Sequence, residues 1–277
     1  MLPFLLFDQL DDPMKIQNEV SFLSVMLVQV DLYWENIDAN LAAIEESISE
    51  YHEPVDLIVL PEMFNSGFTM NTAIAEPMNL TTTRWMKQMA ARMDAMVMGS
   101  IAIKEGGNVY NRMLCVTPDG HVQHVDKRHL FRMGAEHSAY KPGDTQLIVT
   151  WRGWRICPLI CYDLRFPVWS RNTEANPYDL LVYVASWPAR RAYAWSTLLK
   201  ARAIENQAYV VGVNRVGFDG LGIAYQGESA MLNYMGEPLA EFADVPKISI
   251  LKLSKSDLTS FRASFPAHLD ADPFILA

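Results

Sequence analysis

Short continuous apolar runs recur along this chain, and they constrain its fold more than any other feature. Val55–Leu60 and Leu180–Ala185 are the clearest. A strand with one wet face alternates polar and apolar residues, so a continuous run belongs to a strand covered on both faces. Amphipathic helices lie between such runs. Glu35–Tyr51 carries Ile37, Leu41, Ile44 and Ile48 on one helical face, and Thr82–Asp94 presents Trp85, Met89 and Met93, with Thr81–Thr83 available as caps.

Further strands are expected at Ser24–Asp31, Met96–Ile103, Tyr110–Thr117 and His121–Val125, the last two joined by a turn at Pro118-Asp119-Gly120. Gln146–Thr150 and Trp154–Ile160 read as a hairpin about Arg152-Gly153. Pro167–Glu174 reads as a short helix and Ala194–Asn206 as a longer one. Ala208–Asn214, Ser229–Tyr234 and Lys247–Leu253 complete the strands. Strands that both alternate with helices and form hairpins predict an α/β fold with mixed sheet, and their number predicts two sheets packed together under helices. No Pro/Gly/Ser-rich linker divides the chain, so one domain is expected over residues 21–277, after an N-terminal extension, residues 1–20, that shows no clear period.

Composition narrows the function. The net charge of −9 disfavours general affinity for nucleic acid or an anionic membrane. Cysteines at 115, 157 and 161 are too few and odd in number for a disulfide framework, which points to a reducing, cytoplasmic compartment. The apolar start at Met1 is short, lacks a basic leader and is followed at once by Asp8, Asp11 and Asp12, so no signal peptide is expected.

Four segments place a reactive side chain at a strand end or in an ordered loop. Glu62 follows Pro61 at the end of the Val55–Leu60 run, at the sheet rim where sites of open α/β folds collect; a capping or surface glutamate fits the same segment. Lys127 follows the His121–Val125 strand inside a charged cluster that also reads as a solvated face. Glu136 and His137 lie in a Gly- and Pro-bounded loop, as catalytic groups or as loop stabilisers. Cys161 ends the strand Trp154–Ile160 before the helix expected near Pro167. That setting is a nucleophile elbow, which presents a side chain on a sharp bend beside free N–H groups; a buried structural cysteine is the alternative. Cys115 and Cys157 lie within strands and read as core. No metal is expected: Cys157 and Cys161, four residues apart on a strand, would stand about 13 Å apart, too far for one zinc. A papain-like pairing of Cys161 with His129 or His137 finds no support in the local sequence.

Taken together and in order, these segments resemble the nitrilase superfamily of carbon–nitrogen hydrolases. The matching stretches are Leu60-Pro61-Glu62-Met63-Phe64, Asp126-Lys127-Arg128-His129-Leu130-Phe131, Glu136-His137 followed by Pro142-Gly143-Asp144, and Cys161-Tyr162-Asp163-Leu164-Arg165-Phe166-Pro167. The resemblance runs from about Phe22 to the C-terminus. It implies a four-layer α-β-β-α sandwich with two mixed β-sheets. It also implies Cys161 as nucleophile, Glu62 as general base, Lys127 with the Tyr162 N–H as oxyanion donors, and Glu136 as a second glutamate holding Lys127 or the substrate. Neither a metal nor an organic cofactor is implied.

Ala185-Ser186-Trp187-Pro188, the Trp195–Asn206 segment and the stretch from Phe261 to Phe265 resemble the ω-amidase branch, which hydrolyses the terminal amide of 2-oxoglutaramate and succinamate. The small-molecule substrate would then carry a carboxylate, for which Arg165, Arg190, Arg191 and Tyr193 are available, with Arg190 or Arg191 the expected partner. Tyr162 and Trp187 are further expected to line the substrate pocket. The resemblance implies a homodimer or higher homo-oligomer, with Phe166–Trp169 and Phe261–Phe265 as candidate surface. The rival readings are an aliphatic amidase, a carbamoylase, a nitrilase, or a silent scaffold that keeps the fold.

Overall fold

The computed structural model describes residues 22–272 and 274; the expected extension, residues 1–20, lies outside them. The elements in chain order are β1 (Phe22–Gln29), α1 (Ile37–Ser49), β2 (Leu57–Val59), α2 (Thr81–Met93), β3 (Met96–Glu105), β4 (Asn108–Val116), β5 (Val122–Asp126), the single turn α3 (Glu136–Ala139), β6 (Val149–Trp151), β7 (Trp154–Ile160), β8 (Leu180–Ala185), α4 (Ala192–Asn206), β9 (Tyr209–Asn214), β10 (Val216–Phe218), β11 (Ala224–Gln226), β12 (Ala230–Leu232), β13 (Pro238–Glu241), β14 (Lys247–Ser254) and α5 (Lys255–Ser264).

Two mixed six-stranded sheets result. The first has the order β14-β1-β2-β3-β4-β5, with β1, β2 and β3 parallel and the remaining pairs antiparallel. The second, β13-β12-β9-β8-β7-β6, has β7, β8 and β9 parallel. The period of two along a strand explains why the apolar runs are continuous. Leu23, Val25, Leu27, Leu57 and Val59 point into a core shared with Ile156, Val182 and Val211 of the second sheet. Their neighbours Met26, Val28, Ile58 and Leu60 point the other way, onto Leu41, Ile44 and Ile48 of α1 and Trp85, Met86 and Met89 of α2. The second sheet is covered by α4, where Gly212 of β9 leaves room for Leu199 and Trp195. The layers are thus helix, sheet, sheet, helix, as expected. Among the described residues no helix is long and apolar enough to cross a membrane.

The helix expected at Pro167–Glu174 is not formed. A 3₁₀ turn occupies Cys161–Arg165 instead. Its start is set by the Asp163 carboxylate, which accepts from the Ile160 N–H at 3.1 Å. It stops before Pro167, because the residue preceding a proline is steered out of helical geometry. Beyond it, Asn172 holds the chain irregular through bonds to Tyr178 and Asn206.

Candidate active site

The three parallel strands of each sheet end at the same rim. Register pairs Ile160 with Val184 and Ala185 with Asn214, so β7, β8 and β9 deliver Cys161, Ser186 and Arg215 side by side. From the other sheet, β2 delivers Glu62. A contact between the sheets closes the rim: the Ser186 N–H donates to Glu62 Oε2 at 2.8 Å, and its hydroxyl donates to the Glu62 carbonyl at 3.2 Å. Two non-glycine residues at these bends are left-handed, Met63 (φ 46°) and Cys161 (φ 44°). Such backbone costs about 1–3 kcal/mol per residue and persists where the surroundings hold it. Here the Met63 N–H is held by the Ser100 hydroxyl at 3.0 Å, and the Cys161 turn is held by Asp163.

Lys127 leaves β5 with its side chain fully buried. Its ammonium donates to Glu62 Oε1 at 2.7 Å and to Glu136 Oε2 at 2.9 Å and Oε1 at 3.1 Å, and lies 5.1 Å from the centre of the Phe68 ring. Burial works against its charge, but Glu136 and Glu62 outweigh burial and hold it protonated above the usual lysine range. Burial pushes Glu136 above the usual carboxylate range, against the pull of Lys127 and with a further push from Glu62. Glu136 is fixed in turn by the Phe131 N–H at 2.5 Å.

Cys161 is 7% exposed. Burial, and then the neighbouring Glu62 carboxylate, push its thiol well above the ordinary range, Lys127 opposing. At neutral pH the resting group is therefore a thiol, with Glu62 beside it. The Tyr162 N–H belongs to the first turn of the 3₁₀ helix, whose leading amides have no acceptor within the helix.

These groups line a cavity of about 340 Å³, whose walls include Trp34, Phe68, Phe131, Tyr162, Trp187 and Tyr225. Glu62, Lys127 and Cys161 form its buried end, while Met133 (76% exposed) and Leu221 (74%) stand at its rim. Arg165, Arg190 and Arg191 also line it, and none of them has a carboxylate within 4.0 Å among the described residues. Arg165 sits 4.9 Å above the Trp187 ring and Arg191 5.2 Å above Phe131. Burial, and then the neighbouring Arg190 and Arg165, lower Arg191 from the usual arginine range. The cavity thus joins a thiol, a carboxylate and a buried ammonium at one end to a cluster of uncompensated positive charge.

Most residues expected from the sequence converge here: Glu62, Lys127, Cys161, Tyr162, Trp187, Arg190 and Arg191 line the cavity, and Glu136 stands behind Lys127. Tyr193 does not line it and is 84% exposed. A local pairing of Arg165 with Asp163 is not formed, because Asp163 is occupied by the Ile160 N–H and by His129, whose backbone N–H and ring Nδ1 lie 3.0 and 2.8 Å away. His129 is taken up in that contact and stacked on Phe166; His137 is exposed. Trp169, offered as interface surface, is only 4% exposed and lies beneath Arg128.

Sequence reasoning missed Asn111 and Ser186. Asn111 donates to Glu62 Oε1 at 2.9 Å and to Glu136 Oε1 at 3.1 Å. The available signal was an amide side chain just before the apolar Met113–Val116 half of β4, since a buried amide must find partners.

Residues 24–263 match the carbon–nitrogen hydrolase family. The chain is 48% identical over 256 residues to the omega-amidase YafV of Escherichia coli (strain K12), covering 92% of this chain and 98% of that protein. It is 28% identical over 251 residues to the 2-oxoglutaramate amidase of Bacillus subtilis (strain 168), covering 89% and 96%. Among solved structures, a CN-hydrolase superfamily protein from Xanthomonas campestris, crystallised with an arsenic adduct in its active site, superposes with a TM-score of 0.90 at 44% identity, covering 92% of this chain and 99% of that one.

Proposed function

The chain belongs to the carbon–nitrogen hydrolase family and is an amidase of the nitrilase superfamily; from that premise we propose that it cleaves the terminal amide of short dicarboxylate monoamides, of the succinamate and 2-oxoglutaramate kind, through a thioester on Cys161. The observation that carries this reading is the shared cavity, with Cys161, Glu62 and Lys127 at its buried end and three uncompensated arginines beside them. The omega-amidase and 2-oxoglutaramate amidase relatives point to the same substrates.

The chemistry follows from the geometry. Glu62 takes the thiol proton as Cys161 Sγ bonds to the amide carbon, and the carbonyl π electrons move onto oxygen. An ammonium has three protons. Lys127 Nζ meets Glu62 Oε1 and both Glu136 oxygens; the Glu136 pair shares one proton, so the third serves the new oxyanion, helped by the Tyr162 N–H. The C–N bond then breaks, and its electron pair takes the proton from Glu62 and leaves as ammonia. Water attacks the thioester while Glu62 accepts its proton. The C–S bond breaks, the acid departs, and the proton returns to Cys161. Glu136 keeps Lys127 in place throughout. Arg190 or Arg191 pairs with the distal carboxylate. A free thiol nucleophile belongs in a reducing compartment, so a cytoplasmic location is part of the proposal, as is a homodimer.

Ammonia release from succinamate, 2-oxoglutaramate and the carboxylate-free butyramide tests the substrate assignment. Hydrogen bonds to charged groups are worth about 1.5–3 kcal/mol, so Arg190→Ala or Arg191→Ala should raise KM for succinamate roughly tenfold to a hundredfold and leave butyramide unchanged. If neither variant raises KM, the arginine assignment is wrong. If wild type releases no ammonia from either dicarboxylate monoamide, the acyl specificity lies elsewhere, with another amide, a carbamoyl compound or a nitrile.

A further inference from the structure

Asn111 carries no reactive group, and the reaction above does not use it. Its surroundings are nevertheless unusual. The side chain is fully buried on β4, and both of its amide protons are committed, one to Glu62 Oε1 and one to Glu136 Oε1. The same two oxygens accept from Lys127 Nζ, at 2.7 and 3.1 Å. Four hydrogen bonds therefore close a ring in which two nitrogens alternate with two carboxylate oxygens. The main chain of Asn111 joins in, since its carbonyl accepts from the Lys127 N–H at 2.9 Å. Its own Oδ1 has no partner among the described residues. Turning the amide over would aim that oxygen at two carboxylates, so its orientation is fixed by them.

We propose that Asn111 is the positioning residue of this site: it supplies the second donor that lets Glu62 and Glu136 share one ammonium, and so keeps Glu62 aimed at Cys161 and one Lys127 proton free for the substrate oxygen. This rests on the reading of Glu62 as base. Two buried carboxylates beside a single cation carry excess negative charge, and in a site of low dielectric each needs every donor it can reach. Without the amide, both carboxylates draw on the three Lys127 protons alone, and the proton meant for the oxyanion is taken. The ionisable groups around the ring are Glu62, Glu136, Lys127, Cys161 and Tyr140, whose hydroxyl donates to the Thr69 carbonyl at 2.8 Å. The Asn111 amide is also among the groups that pull Glu136 down against burial.

The test compares wild type with Asn111→Leu, which keeps the size and loses both donors, and with Asn111→Ser, which keeps one. For succinamate, kcat of Asn111→Leu should fall about tenfold to a hundredfold, the worth of bonds to charged groups, with KM within about threefold. The acidic limb of its kcat profile should move to higher pH, because Glu136, stripped of a donor that lowers it, holds a proton longer. Asn111→Ser should fall between the two, and reads the same effect should the leucine variant not fold. Alkylation of Cys161 by iodoacetamide across pH supplies a readout that needs no substrate. If Asn111→Leu and Asn111→Ser lower the melting temperature but match wild type in kcat, acidic limb and alkylation profile, Asn111 is structural only and the proposal is overturned. If Glu62→Gln also leaves the alkylation profile unchanged, the assignment of Glu62 as base falls, and the Asn111 proposal falls with it.

Discussion

Lys127 is where the energetics of this site concentrate. Removing one partner of a buried ion pair typically costs about 3–5 kcal/mol, because a charge is left buried and unpaired, and here two carboxylates would be stranded together. Lys127→Met should therefore lower unfolding free energy by about that amount, measured by urea denaturation, and reduce kcat roughly a hundredfold to a thousandfold as the proposed oxyanion donor is lost. A group whose folded value is raised stabilises fully below its unfolded value and loses that contribution as pH rises through the folded one. Lys127 is raised, so its stabilisation should persist across the neutral range and fade only in strongly alkaline solution. Wild type and Lys127→Met denatured at several pH values should then differ by a constant amount near neutrality; a gap that closes below the ordinary lysine range would contradict this. Cys161 has the same direction of shift and the opposite consequence. Raised by burial and Glu62, it stays a thiol at neutral pH and, in the proposed reaction, is activated by Glu62.

At the scale of elements, the loop after β5 sets the position of Lys127. The Gly143 N–H donates to the Lys127 carbonyl at 2.9 Å, and a Cβ on Gly143 would overlap the Asp126 carbonyl. Gly143→Ala should push the end of β5 and lower kcat about tenfold to a hundredfold, since small misplacements of catalytic groups carry large penalties, although Gly143 does not line the cavity. Unchanged kcat in a folded Gly143→Ala enzyme would show that the loop does not set Lys127. Sequence reading located β1, α1, β2, α2, the β3–β4–β5 meander, β6 to β9 with α4, β12 and β14. Those it missed lack an apolar signal: β10, β11 and β13 are short and bury at most one residue each, and α5 buries only Leu258, so it shows no apolar stripe. Glu62 and Cys161 each follow an apolar run and Lys127 follows a half-polar strand, but it is the order of the segments, with its family resemblance, that singles out the three. Asn111 and Ser186 were not, because their roles arise from pairing between distant segments, and an amide or a backbone N–H carries no motif of its own.

At the scale of the whole molecule, a chain of net charge −9 gathers three arginines at one cavity, a local field suited to a small anion despite the acidic surface. The far end of α4 is apolar: Ile204, Phe265 and Leu269 are 56%, 60% and 59% exposed, and Gln207 ties this turn to Phe265 at 2.7 Å. Exposed apolar surface of this kind marks contact sites, and light scattering after size exclusion should give the mass of two chains; a single chain at all concentrations would remove the homodimer from the account. The reaction itself is tested most directly by intact-mass spectrometry of enzyme quenched in acid during turnover of succinamate. A succinyl adduct on Cys161 is expected in wild type, and neither adduct nor ammonia in Cys161→Ala. Ammonia released by Cys161→Ala at the wild-type rate, or an adduct on another residue, would contradict it.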